Sequence, residues 1–326
     1  METKTEQSAR AVLMVRPTTF GFDDQTAQTN TFQHHIGLAH SEVLTRANAE
    51  FDNAVNTLRE LDIAITVFED GDVRPKPNAV FPNNWLSTWP NGHIFLYPMA
   101  TESRRVERSF EALELLSRQF KISEVTDLSG PEKENLFLES TGVIIFDHVN
   151  KIAYACISPR CDERLFKDHV KELGYEPVAF KAYGSDGVPI YHTNVMMGVQ
   201  TQTAVICLDA ITDEVERNMV RQKLEATGHN TVVITQNQME QFCGNVLELQ
   251  NSAGERYLVM SQSAFDGFRP GQRQALSVDK TLIPLAIPTI ETIGGGSVRC
   301  MLAEVYLPGR IDPSRIHIER SSPASH

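Results

Sequence analysis

Five short apolar stretches, each carrying one polar side chain, recur along this chain at a nearly constant interval. Asn84 lies in Val80-Phe81-Pro82-Asn83-Asn84-Trp85, and Glu139 in Leu136-Phe137-Leu138-Glu139-Ser140-Thr141-Gly142. His192 lies in Ile190-Tyr191-His192-Thr193-Asn194-Val195, Asn245 in Phe242-Cys243-Gly244-Asn245-Val246-Leu247, and Cys300 in Gly294-Gly295-Gly296-Ser297-Val298-Arg299-Cys300-Met301. The gaps between successive anchors are 53 to 55 residues. A period of that size marks a repeat architecture, because one supersecondary unit cannot bury its own hydrophobic face and must pack against copies of itself. Units closed into a ring would aim all five polar groups at one axis. A thiol, an imidazole and a carboxylate would then meet there.

Each period reads as strand, strand, helix, strand. In the Asn84 unit a strand at 79–86 is followed by the hairpin signal Pro90-Asn91-Gly92, a return strand at 93–97, a helical pattern over 105–120 and a strand at 122–125. The Glu139 unit repeats this with 136–146, 152–157, a helix over 161–173 and 177–180. The His192 unit has 188–199, 203–208, a helix over 213–226 and 231–235, and the Asn245 unit has 245–249, 256–260, a helix over 270–276 and 282–287. The Cys300 unit supplies only its first strand, 298–307. Its missing parts stand at the other end of the chain, as a strand at 11–15, a helix over 41–61 and a strand at 63–68. Joining the two ends completes a fifth unit and removes free sheet edges. This reading predicts one α/β catalytic domain over 11–318, with loose ends at 1–10 and 319–326. The polar segment 23–33 either lies over the mouth of the ring or is an ordinary surface connection.

The net charge of −12 argues against nucleic acid as a partner, since binding phosphates requires a basic face. It also disfavours anionic membranes, and no apolar run is long enough to span a bilayer. The five cysteines, at 156, 161, 207, 243 and 300, form no CxxC pair and fit neither a disulfide framework nor a zinc site. A reducing, cytoplasmic setting is expected. The N-terminus lacks the basic start and apolar core of a signal peptide.

A lone cysteine is most often a small buried hydrophobe. The three glycines before Cys300 change its weight, because they allow a ligand to lie against the main chain, with Gly296 at the centre of that approach and the N–H groups of 294–297 as candidates to support an oxyanion. A cysteine nucleophile needs a proton acceptor nearby, and His192 occupies the equivalent place two units earlier. Glu139, in an apolar stretch, must be paired or bound to something. Asn84 and Asn194 are candidate ligand contacts, whereas Asn245 reads as a structural echo of the repeat. His34, His35 and His40 cluster without a carboxylate or cysteine to complete a metal site, so no metal is expected. The charges over 102–118 read as a solvated helix face.

Taken together, these motifs resemble those of the amidinotransferase/arginine deiminase superfamily, whose fold is the pentein, over 11–308. Within it the chain is most similar to the citrulline-utilisation hydrolases. The resemblance implies a five-bladed pseudo-symmetric α/β propeller with its active site on the axis. It implies Cys300 as nucleophile, His192 as general acid/base and Glu139 as the carboxylate that orients substrate. It also implies an arginine for the substrate carboxylate, with Arg160 in Ser158-Pro159-Arg160 matching best and Arg299 and Arg16 behind it. Arginine-type deiminases place aspartates where this chain has Asn84 and Asn194. A guanidinium only donates hydrogen bonds and suits carboxylates, whereas a neutral ureido group suits amides, which both donate and accept. The expected reaction is therefore hydrolysis of citrulline to ornithine, ammonia and carbon dioxide, without a cofactor. A guanidino enzyme (arginine or methylarginine deiminase, or amidinotransferase) and a non-catalytic binding protein of the same fold are the alternatives. The expected partner is a small amino acid, and a homodimer is compatible with the chain.

Overall fold

A computed structural model of the chain describes residues 6–71 and 74–310. The tail expected at 319–326 lies outside them, as does the first half of the N-terminus expected to be loose. The strands run in chain order as β1 (Ala11–Arg16), β2 (Ala64–Glu69), β3 (Leu86–Thr88), β4 (His93–Leu96) and β5 (Glu124–Asp127). β6 (Ile145–Asp147), β7 (Ile152–Cys156), β8 (Glu176–Phe180), β9 (Met197–Val199), β10 (Thr203–Ile206) and β11 (Asn230–Val233) follow. β12 (Leu247–Gln250), β13 (Arg256–Ser261), β14 (Thr281–Leu285) and β15 (Ala303–Val305) complete the set. They group into five three-stranded sheets.

Four of the sheets are continuous in sequence and share one topology. Their first two strands form an antiparallel hairpin, and the third returns through a helical crossover to pair in parallel with the second. The fifth sheet has the same order but comes from both chain ends. β15 runs antiparallel to β1, with Val305 opposite Ala11, and β1 runs parallel to β2, with Ala11 opposite Ala64. The helix His40–Glu60 makes its crossover. The chain ends therefore complete one unit, as the pattern requires.

Burial follows the topology. The middle strands β7 and β10 are buried throughout, which is why they read as unbroken apolar runs. The outer strands β5, β8 and β11 are partly exposed. The crossover helices show a single apolar face. In Glu163–Glu172, Phe166 and Val170 are buried, and the Asp162 side chain caps the first turn through the Leu165 N–H. In Glu214–Ala226, Val220 and Leu224 are buried and Asp213 caps in the same way. Neighbouring units share apolar clusters, such as Trp85, Leu96 and Leu116 packing with Ala303 and Val305. Among the described residues no helix is long and apolar enough to cross a membrane.

Three expectations are corrected. The sequence pattern puts the anchors on strands, but they stand just before them, at or within single turns. Asn84 ends the 3-10 turn Pro82–Asn84, Glu139 and His192 precede the turns Ser140–Val143 and Thr193–Met196, and Cys300 lies in Val298–Met301. The reason is local hydrogen bonding by hydroxyl residues. Ser140 Oγ donates to the Leu86 carbonyl, and Thr193 Oγ1 donates to the Val143 carbonyl while accepting from the Cys156 N–H. These bonds join one unit to the next and hold the buried turns. Second, residues 6–10 are not loose. The buried Gln7 side chain donates to the Phe146 and Val199 carbonyls, and Ala9 bridges to Leu249. Third, the 102–118 stretch is a solvated face only in part, at Glu102, Glu111, Glu114 and Arg118. It breaks into Glu102–Arg105 and Phe110–Ser117, with Arg104 and Glu107 buried.

Candidate active site

The turns that carry the anchors converge. One pocket is walled by Asn84, His192 and Cys300 together with Arg104, Arg160 and Tyr191. Glu139 lies directly behind it, fully buried, with Oε2 2.7 Å from His192 Nε2 and 3.4 Å from Arg160 Nη1. Its other oxygen accepts from the Ala100 N–H at 2.9 Å. Close approach here depends on Gly142, where a Cβ would overlap the Asn84 amide and lie 2.9 Å from His192 Cε1. At the opposite wall Gly295 takes a left-handed φ of 62°, and Gly296 lies against the Phe81 ring. The Gly295 N–H donates to the Glu291 carbonyl at 2.9 Å, so it is already engaged and is withdrawn as an oxyanion donor.

Charge is balanced within the site. Burial pushes the Glu139 carboxyl up, but Arg160, the hydrogen bond from His192 and the Arg104 charge outweigh it and hold it well below the usual carboxylate range. Burial lowers His192 to about 4, against the pull of Glu139. Burial also raises the Cys300 thiol, partly offset by the Ser297 backbone and the Asn245 amide. The resting pair is therefore a neutral thiol and a neutral imidazole. With Glu139 ionised, Nε2 of His192 carries the proton and Nδ1, which makes no hydrogen bond among the described residues, is the basic atom.

Each expected residue has a definite place. Asn194 Nδ2 is 3.5 Å from the Cys300 sulfur. Arg160 lies at the pocket wall over the Tyr191 ring, 5.0 Å from its centroid, and donates to the Thr26 carbonyl and Thr29 hydroxyl. The 23–33 segment thus does lie over the pocket. It is further tied down by Asn30 donating to the Gly295 carbonyl and Gln33 to the Ile293 carbonyl, both at 3.1 Å. Arg299 is not at the site. Its guanidinium turns the other way, to the Leu302 carbonyl and Glu304, because that ion pair is the nearest partner for a buried charge. Arg16 pairs with Asp52 at 2.8 Å, half exposed and away from the pocket. Asn245 is more than an echo, since its Nδ2 donates to Cys300 Sγ at 3.3 Å and to the Asn194 carbonyl at 2.9 Å.

Arg104, Asn78 and Tyr191 went unrecognised as site residues. Asn78 precedes Asn84 by only six positions, a weak signal. Arg104 carried none, standing in an ordinary charged run. Asn84 Nδ2 and Asn78 Oδ1, on residues that line the pocket, and Asn194 Oδ1, whose amide nitrogen faces the sulfur, are buried with no hydrogen-bond partner among the described residues. Buried polar atoms are normally paired, so these three are available to pair with a ligand.

A family model for N,N dimethylarginine dimethylhydrolase, eukaryotic, matches residues 16–307. No curated protein sequence matches. Among solved structures, ArgZ, an arginine dihydrolase from the ornithine-ammonia cycle in cyanobacteria, superposes with a TM-score of 0.71 at 14% identity, over 93% of this chain and 41% of that one. This chain thus spans less than half of that protein's length. The N-terminal domain of ArgZ, as a cysteine-to-serine mutant bound to substrate, superposes at 0.70 and 14% identity over 91% of this chain and 99% of that one. The dimethylarginine dimethylhydrolase of Pseudomonas aeruginosa, a cysteine-to-serine mutant complexed with citrulline, superposes at 0.63 and 14% identity, over 91% and 99%. At these identities the likeness is one of fold, the pentein fold.

Proposed function

The chain belongs to the N,N dimethylarginine dimethylhydrolase family, within the amidinotransferase superfamily of pentein fold, and is a hydrolase of C–N bonds outside peptides; from that premise we propose that its substrate is a ureido amino acid, citrulline, cleaved to ornithine, ammonia and carbon dioxide. In this reading the five sheets stand as blades of a pseudo-symmetric propeller about the Cys300 pocket.

The pattern of unpaired atoms carries the substrate assignment. Asn84 Nδ2 is a donor, and Asn194 Oδ1 and Asn78 Oδ1 are acceptors. A ureido group has one carbonyl oxygen needing a donor, and N–H groups on both sides needing acceptors. It matches all three. A guanidinium has donors only, so Asn84 Nδ2 would face another donor. The buried carboxylates around the site already have partners: Glu139 is engaged by Arg160 and His192, Glu107 by Arg104, and Asp23 by the Asn78 amide, the Ser103 hydroxyl and the backbone N–H groups of Gln25 and Thr26.

Cys300 Sγ attacks the ureido carbon as its proton passes to His192 Nδ1. The imidazolium, held by Glu139, gives that proton to the departing ornithine amine. A carbamoyl thioester remains on Cys300. Water, deprotonated by His192, releases carbamate, which breaks down to ammonia and carbon dioxide and restores the thiol. Arg160 exchanges its Thr26 and Thr29 contacts for the substrate α-carboxylate.

The guanidino reading is favoured by one observation, the substrate in the family's own name. One assay separates the two. Purified protein given citrulline should release ornithine and ammonia in equal amounts, and the Cys300→Ser variant neither. Inert citrulline, together with citrulline formed from arginine or dimethylarginine, would overturn the proposal.

A further inference from the structure

Glu291 is buried with no ion-pair partner among the described residues. It lies in the first turn of the helix Pro288–Gly294, which runs directly into the glycine turn before Cys300. Its side-chain partners are hydroxyls. Ser297 Oγ donates to Oε1 at 2.5 Å, and Ser263 Oγ donates to Oε2 while lying 2.9 Å from Ser261 Oγ at the end of β13. Burial pushes the carboxyl up, and the hydroxyls of Ser261, Ser263 and Ser297 oppose it. Burying a carboxyl without a cation costs stability. What this one holds is the Cys300 turn. Ser297 is itself fully buried, its carbonyl accepts the Cys300 N–H at 2.9 Å, and its backbone hydrogen-bonds the sulfur. The front of the turn is fastened at the Gly295 carbonyl, by Asn30 at 3.1 Å and the Tyr191 hydroxyl at 2.6 Å. The rear is fastened by Glu291 twice, since its own carbonyl accepts the Gly295 N–H at 2.9 Å.

We infer that Glu291 is a positioning residue for Cys300: by gripping the Ser297 hydroxyl from behind the pocket, it fixes the backbone group that faces the sulfur. This rests on Cys300 as the nucleophile, and not on which C–N bond it attacks. The other groups around the sulfur are the Asn194 and Asn245 amides, the Arg299 charge and, across the pocket, His192 and Tyr191. None of them hydrogen-bonds to the Glu291 carboxyl, so loss of the link weakens the thiolate without dismantling the pocket.

The test follows iodoacetamide labelling of Cys300 against pH, read on the Cys300 peptide so that the other four cysteines do not enter. It needs no substrate. In Glu291→Ala and in Ser297→Ala the labelling midpoint should rise by about one pH unit, a roughly tenfold smaller thiolate fraction at neutral pH. The double variant should rise no further than either single one, because both cut the same link. Glu291→Gln keeps an acceptor for the Ser297 hydroxyl and should return the midpoint to that of wild type. Folded single variants with the wild-type midpoint overturn the inference. So does a double variant whose rise is the sum of the two, or a Glu291→Gln midpoint as high as that of Glu291→Ala. If Glu291→Ala does not fold, Ser297→Ala, which deletes one oxygen, reads the same link. A wild-type Cys300 that labels no faster than the other cysteines would overturn the nucleophile reading itself, and the inference with it.

Discussion

Burial acts on Cys300 and His192 in opposite senses and favours the neutral form of each, raising the thiol and lowering the imidazole to about 4. What favours the thiolate is local: the Ser297 backbone, and the amides of Asn245 and Asn194 aimed at sulfur. Hydrogen bonds to a charged group contribute roughly 1.5–3 kcal/mol. Asn245→Ala should therefore cost about 2 kcal/mol of thiolate stability, or a roughly 30-fold loss in kcat/KM carried mainly by kcat. The midpoint of iodoacetamide labelling of Cys300 should move up with pH. An unchanged labelling profile would return Asn245 to a purely structural role. The period in the sequence located Asn245 to the residue, yet its role was illegible there, because an asparagine that supports a turn and one that touches a thiol look alike before the turn is folded.

At the scale of elements, the segment over the pocket behaves as a strap fastened at named points. Asn30 and Gln33 bond the carbonyls of the glycine turn, while Thr26 and Thr29 bond Arg160. Cys300, His192 and Glu139 are nearly or fully buried beneath it, so substrate entry requires the strap to lift. Each fastening hydrogen bond contributes about 1 kcal/mol. The pair Asn30→Ala and Gln33→Ala should raise the open population about 30-fold, seen as faster alkylation of Cys300 at fixed pH with little loss of secondary structure. Equal alkylation rates in variant and wild type would show that access does not run past the strap. Elements were legible to different depths. The crossover helices and middle strands are legible because their apolar periodicities match their geometry: the pattern gives the helix at 270–276 its true bounds, and carries β7 one residue beyond its end at Cys156. The single turns before the first strands were misread as strand, since a turn held by hydroxyls such as Ser140 and Thr193 has the same apolar composition.

For the whole molecule, the closed repeat was legible because it is a property of spacing: the fifth sheet assembles from β1, β2 and β15 where the interval says it must. The buried pair Arg104 and Glu107 was not, because it is buried by the fold around it and by nothing in its own neighbourhood of sequence, whereas Glu139 and His192 stood out by their place in the period. Folding around such polar centres leaves a pH signature. Three histidines are buried and depressed, all chiefly by burial: His148 to about 3, His169 to about 4 and His192 to about 4. Unfolded, each titrates near 6.5. Between about pH 4 and 6.5 the unfolded chain thus holds protons that the folded chain refuses, and stability rises with pH. The contribution is fully present above about pH 6.5 and is lost as pH falls toward 4. Glu139, held below the usual carboxylate range, adds a loss of the same sign at still lower pH. At pH 4.5 each histidine should have removed roughly 2–3 kcal/mol. Urea unfolding from pH 7.5 to 4.5 should show falling stability with an uptake of about three protons. His169 sits against the Tyr97 hydroxyl. Substituting it as His169→Gln should reduce the uptake by about one while leaving turnover at pH 7.5 intact, because it stands outside the Cys300 pocket. A stability profile flat across this range would mean that these rings accept protons in place, and that the polar centre of the fold is far wetter than its burial indicates.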